Sequence, residues 1–246
     1  MLGKLLKYEF IYLVKDFTRT YIIYGAEVLV FTILIAISGH GSAYGTLLGI
    51  FAVIYYIFTL VLALLTISHN VRRFKKNMFS HEGYLTNTLP VTPAQHVIAK
   101  VIVGAVNYMI SFLVIYLGML ILSAGSGNAG EFRRIMDFSF KLLDKFDMLF
   151  PTFLMMATGY LALLLCCYML SSISSMIGGS KGKSAALAVL IIIGYIMLTT
   201  LISSSMQNTG TSVQDTMYIF SLIYLICAGI EFAVVINIIK NKLNLQ

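Results

Sequence analysis

Seven residues, Gly178-Gly179-Ser180-Lys181-Gly182-Lys183-Ser184, come close to a phosphate-binding loop. That chemistry needs a fixed spacing, G-x-x-x-x-G-K-[ST], because backbone N–H groups wrap the phosphates while the lysine reaches them. Counting back from Gly182, the first glycine belongs at position 177, which is Ile177; starting from Gly178 leaves the loop one residue short. Apolar runs flank the segment on both sides, and no strand ending in an acid is available to hold magnesium. The chain encodes no nucleotide hydrolase of its own. The stretch reads as a tight turn whose glycines permit the reversal.

The other residues able to do chemistry are ionisable groups set inside apolar sequence, where an unneutralised charge is costly. Glu27, Lys100 and Glu231 are the clear cases, with Asn107 two turns beyond Lys100. At the helical rise per residue, the two acids fall about 10–12 Å inside their apolar runs. They are expected to form a polar layer with Lys100 and Asn107. Its role is open between an inner gate or substrate contact and a salt bridge that ties three helices together. His40, His69, His81 and His96 lie in loops or at the ends of apolar runs, and there is no Glu-Glu pair, so an intramembrane enzyme lacks its catalytic groups. Cys166, Cys167 and Cys227 sit in apolar runs and form neither a CxxC pair nor a Cys/His constellation, so no metal site is expected.

These groups must be positioned by membrane helices. The 246 residues are 59% hydrophobic and 11% charged, with a mean hydropathy of +0.90; a soluble domain carries about 25% charged residues. Continuous apolar runs of about 20 residues cross a bilayer as helices, whereas barrel strands alternate over about ten residues. The expected fold is therefore an all-α integral membrane protein, a single transmembrane domain over 1–246. Six spans fall at about 20–38, 45–69, 97–124, 148–171, 185–204 and 216–239. Placing both termini in the cytoplasm puts thirteen of the seventeen basic residues on or near that side, as the positive-inside rule requires. The net charge of +7 is thus an orientation signal and not a nucleic-acid footprint.

Ahead of the first span, residues 1–18 place Leu2, Leu5, Leu6, Phe10, Leu13, Val14 and Phe17 near helical spacing, with Lys4, Lys7 and Lys15 on another face. This pattern predicts an amphipathic helix lying along the cytoplasmic surface. The extracellular segment 125–147 opens with a Gly/Ser/Asn turn and continues with helical spacing, as either a short interfacial helix or a plain connector. Gly41, Gly45 and Gly49 make consecutive small-xxx-small steps, a spacing that permits close helix packing. Thr199, Thr200, Ser203, Ser204 and Ser205 make the outer end of the fifth run polar. No internal repeat points to a secondary transporter.

The cytoplasmic segment 70–96 is long and patterned. Arg72, Arg73, Lys75 and Lys76 suit the lipid headgroup region. Thr92-Pro93-Ala94-Gln95 predicts a capping box, with Thr92 as N-cap, proline at the first helical position and Gln95 reaching back. Between these lies a nearly uncharged stretch that exposes Tyr84, Leu85 and Leu89, a pattern suited to docking a partner.

Here Glu82-Gly83-Tyr84-Leu85-Thr86-Asn87-Thr88-Leu89-Pro90-Val91 resembles the EGYLTxTLPV segment of small bacterial ABC transporter permeases of the type 2 exporter class. The opening MLGKLLKYEF is similar to their N-terminal surface helix, and the six-span layout matches over nearly the whole chain. The turn at 178–184 departs from it, being rich in glycine and serine. The resemblance implies that Glu82, Gly83, Tyr84, Leu85, Thr86, Leu89 and Pro90 form a coupling element that enters a cleft on a separate ABC ATPase subunit. It also implies that ATP and magnesium are bound by that partner, with no cofactor in this chain. A second copy or a related permease would complete the assembly in a bacterial cell membrane. The expected function is export of an amphipathic peptide, lipid-like molecule or drug. The alternative is a non-transporting immunity or regulatory protein that binds a peptide at the membrane.

Overall fold

The computed structural model describes residues 2–37, 44–79, 91–125, 133–134, 137, 146–176, 193–194, 197, 199–201, 204 and 211–242. Five long helices organise them: α1 (Leu2–Ile37), α2 (Tyr44–Phe79), α3 (Pro93–Gly125), α4 (Phe146–Met176) and α5 (Val213–Lys242). At 30 to 36 residues each, they reach about 45–54 Å, beyond the roughly 30 Å hydrocarbon layer. Each carries an apolar window suited to crossing a membrane. Their outward faces are apolar too, with Ile23, Tyr56 and Leu222 more than 60% exposed. A surface of that kind belongs against lipid. The chain is an all-helical, multi-pass membrane protein.

Two boundaries differ from those drawn on the sequence. Residues 1–18 and the first span are one uninterrupted helix, α1. The junction Asp16-Phe17-Thr18-Arg19-Thr20 contains neither glycine nor proline, and the Thr18 hydroxyl donates to the Val14 carbonyl within the helix. Helix α2 runs on past residue 69 to Phe79, so the first part of segment 70–96 is helical. The extension is amphipathic: Phe74 and Met78 are fully buried while Arg72, Lys75 and Lys76 are exposed.

Helix starts follow local hydrogen bonding. At α3 the Thr92 N–H donates to Gln95 Oε1 at 3.2 Å and the Gln95 N–H donates to Thr92 Oγ1 at 3.4 Å. This is the reciprocal capping box expected there. An analogous box starts α5, where Asp215 N–H donates to Ser212 Oγ at 3.1 Å and Ser212 Oγ donates to Asp215 Oδ2 at 2.7 Å. That cap moves the helix start ahead of the expected residue 216 to Val213.

The chain packs as two compact units. The first comprises residues 1–5, 70–105 and 146–246; the second comprises 6–69 and 106–145. In the second, α1 and α2 are antiparallel, Tyr24 meeting Thr59 while Phe31 meets Phe51. There α3 runs parallel to α1, with Gly118 against Tyr24 and Val28 and Gly125 against Thr32. In the first unit, α4 and α5 are parallel neighbours. Thr152 meets Met217, Gly159 meets Tyr224 and Cys166 meets Glu231, always 65 residues apart. These contacts recur every seven residues, the period of a coiled-coil seam.

Candidate functional site

The second unit holds its helices together with hydroxyl groups. Tyr21 Oη donates to Asn107 Oδ1 at 3.0 Å and lies 2.9 Å from Ser111 Oγ. Ser111 in turn is 3.1 Å from Thr66 Oγ1, which also donates to the Leu62 carbonyl at 2.8 Å. This set links α1, α2 and α3 through side chains that are largely buried. Asn107 is fully buried, and its Nδ2 has no hydrogen-bond partner among the described residues. One turn further along α1, a second set begins at Tyr24. Its Oη donates to Tyr55 Oη at 2.9 Å, and Tyr55 Oη donates to the Ile115 carbonyl at 3.0 Å. Thr59 Oγ1 lies 3.4 Å from Tyr24 Oη. A hydroxyl carries one proton, so Tyr55 spends its own on Ile115 and Tyr24 spends its own on Tyr55. Thr59 Oγ1 lies beside both tyrosine hydroxyls and completes the set.

Glu27 stands beside this second set on α1. Both carboxylate oxygens are buried and have no hydrogen-bond partner among the described residues. Tyr55 is close enough to interact with it electrostatically. One turn along α1, Phe31 packs on Phe51 with ring centroids 5.4 Å apart, and Tyr55 lies one turn from Phe51 along α2. The carboxylate therefore sits at an α1–α2 seam rich in aromatic rings.

The first unit combines a short hydrogen-bond chain, a close helix approach and a ring stack. Asn70 Nδ2 donates to Tyr160 Oη at 3.1 Å, and Tyr160 Oη donates to the Gly104 carbonyl at 3.2 Å. A Cβ on Gly104 would stand 2.7 Å from Leu164 Cδ2, so α3 and α4 meet closely there and a larger residue would make the Leu164 side chain shift. Phe74 stacks on Tyr168 with centroids 4.1 Å apart and planes at 11°. Lys100 and Glu231 are both buried here, and the Glu231 carboxylate hydrogen-bonds with the Cys166 thiol. An apolar cavity of about 240 Å³ lies among α3, α4 and α5, lined by Ile98, Val101, Ile102, Leu165, Leu225 and Phe232 among others.

The residues expected to form one polar layer therefore divide, Glu27 and Asn107 in the second unit and Lys100 and Glu231 in the first. Among the glycines expected at a helix contact, Gly49 faces open space, with nothing within 4 Å of an added Cβ. Gly45 belongs to α2, and Gly41 lies outside the described residues. So do Glu82, Gly83, Tyr84, Leu85, Thr86, Leu89 and Pro90, the turn at 178–184, and Ser203 and Ser205. Thr199 and Thr200 are helical and border a cavity with Met155, Phe220 and Tyr224. Among the described residues, no group of three His, Cys, Asp or Glu side chains is placed to hold a metal.

Sequence reasoning missed Tyr21, Tyr24, Tyr55, Thr59, Thr66, Asn70, Ser111 and Tyr160. A signal was present. On α2, Tyr55, Thr59, Thr66 and Asn70 follow helical periodicity, so they share one face of an otherwise apolar run. Asn107 and Ser111 do the same on α3. Comparison with known protein families, with curated proteins and with solved structures finds no match to this chain.

Proposed function

We propose that this chain is the permease subunit of an ATP-driven exporter of the type 2 ABC class, moved by a separate ATPase subunit. The observation that carries the proposal is the frame around the EGYLTNTLPV segment. On one side, α2 continues to Phe79 with Arg72, Lys75 and Lys76 exposed along it. On the other, α3 starts sharply at Pro93 behind the Thr92–Gln95 capping box. Two stiff stems flank a short apolar segment, an arrangement suited to passing a partner's motion into membrane helices. The resemblance carried by Glu82–Val91 supports the same reading.

The parallel packing of α4 and α5 supports six spans. Parallel neighbours need a connection that returns along their full length, as a β-strand crossover does for parallel strands. A span at 185–204 would supply that return, and the described residues within it are helical. An even number of crossings would place both termini on one side, and the distribution of lysine and arginine makes that side the cytoplasm. The N-terminal part of α1 would then lie at the cytoplasmic membrane boundary with Lys4, Lys7 and Lys15 toward lipid phosphates.

The test is affinity purification of the full chain from its native membrane. A soluble ATPase with a true G-x-x-x-x-G-K-[ST] loop is expected to co-purify, and to be lost when Tyr84 and Leu85 are both changed to Asp. Purification of the chain with no ATPase would overturn the proposal and favour the immunity or regulatory alternative.

A further inference from the structure

We propose that Glu27, at the aromatic α1–α2 seam, binds the protonated amine head of a membrane-soluble amphipath. As a statement about cargo this rests on the export reading; as a statement about binding it needs no ATPase.

A carboxylate inside a membrane helix requires a compensating partner. Both Glu27 oxygens are buried with no hydrogen-bond partner among the described residues. Internal compensation is scarce in the second unit: residues 20–37, 44–68 and 106–125 contain no lysine and no arginine. The adjoining tyrosine hydroxyls are engaged elsewhere: the Tyr24 proton goes to Tyr55 and the Tyr55 proton to the Ile115 carbonyl. The missing component is therefore a positive charge that brings its own N–H donors.

The surroundings select an organic cation. Phe31 and Phe51 pack one turn from Glu27 and Tyr55, and aromatic faces attract ammonium groups, most strongly where water is excluded. Access is from the bilayer: Ile23 and Val30, on either side of Glu27 along α1, are exposed apolar residues on a helix that crosses the membrane. An amphipath can leave its chain among lipids and pass only its head into the seam. A charge-assisted N–H bond to carboxylate is the strong interaction available there. A quaternary ammonium would keep the ring attraction and lose that bond. An uncharged alcohol would lose both charge terms.

The test is equilibrium binding of radiolabelled dodecylammonium to the full-length chain in lipid nanodiscs, with empty nanodiscs subtracted. Saturable binding is expected, weakened by about tenfold or more in Glu27→Gln and partly kept in Glu27→Asp. Dodecyltrimethylammonium should compete less well, and dodecanol should not compete. Equal affinity in Glu27→Gln, or equal competition by dodecanol, overturns the proposal. So does an infrared carboxylic-acid band at neutral pH that disappears in Glu27→Gln and persists in saturating dodecylammonium, because Glu27 would then be compensated by its own proton. Should Glu27→Gln fail to accumulate, Phe31→Leu and Phe51→Leu are each expected to weaken binding, and unchanged affinity in both overturns the site. If no ATPase co-purifies yet dodecylammonium binds as expected, the export reading fails and the site stands. If the ATPase co-purifies and Glu27→Gln binds normally, the site fails and the export reading stands.

Discussion

The two units of this chain solve the same problem differently. Inside a membrane, helices gain little from burying apolar surface, so close packing and internal hydrogen bonds must hold them. Both use close helix approach, at Gly118 and Gly125 in the second unit and at Gly104 in the first. Gly104 lets α3 and α4 meet, Phe74 stacks flat on Tyr168, and the Asn70–Tyr160–Gly104 chain ends on a backbone carbonyl. The second relies on hydroxyl sets spread along three helices and leaves Asn107 Nδ2 and both Glu27 oxygens unpartnered among the described residues. Each unit buries polar atoms, and what sets the second apart is a carboxylate, Glu27, in apolar runs that contain no lysine or arginine.

That contrast can be broken experimentally. The largest effect is expected from Gly104→Val, whose added atoms meet Leu164 Cδ2 at 2.7 Å or less of free space. Overpacking of this kind costs about 1–3 kcal/mol and occasionally more, read as lost folded yield in detergent or a lowered unfolding midpoint. Tyr160→Phe is expected to follow. It removes the donor to the Gly104 carbonyl and the acceptor for Asn70, leaving a buried amide unpaired at about 1–3 kcal/mol. In the second unit, Tyr55→Phe should cost less, about 1 kcal/mol, since the Tyr24 hydroxyl it leaves can turn to Thr59 Oγ1, 3.4 Å away. Reversal of that order, with Tyr55→Phe more damaging than Tyr160→Phe, would end the distinction between the units. The smallest effect is expected at Gly49→Val. Its Cβ direction is open, so the change should fall within about 0.5 kcal/mol for the isolated chain. A clear loss of stability there would reveal a contact made by another copy or partner.

How legible these features were in the sequence varied with their range. The α3 start was readable because the Thr92–Gln95 box is local, needing only four residues and proline's fixed φ. The Ser212–Asp215 box was equally local and was passed over in favour of the apolar run that follows it. Arg72, Arg73, Lys75 and Lys76 mark a membrane edge in the sequence, yet charge on one face does not end a helix whose other face buries Phe74 and Met78, and α2 continues to Phe79. Glu27, Asn107, Lys100 and Glu231 were legible as costly residues inside apolar runs; the neighbours each one meets depend on how its helix is turned. Gly49 illustrates the same limit. Small residues permit close approach, and only a neighbouring helix uses it; Gly49 faces open space, while tight approaches among the described residues fall at Gly104, Gly118 and Gly125.

The sequence by itself determined the solvent. With 59% hydrophobic residues gathered in long runs, unpaired backbone groups in lipid leave the helix as the economical form for each run. It also determined where helices begin, since caps are made from residues within one turn. Tertiary structure decided which of the buried polar groups found partners, that α4 and α5 lie parallel, and that Glu27 found none among the described residues. The reason is rotational. A helix carries its side chains on every face, and which face meets another helix depends on contacts made by residues far apart in the chain.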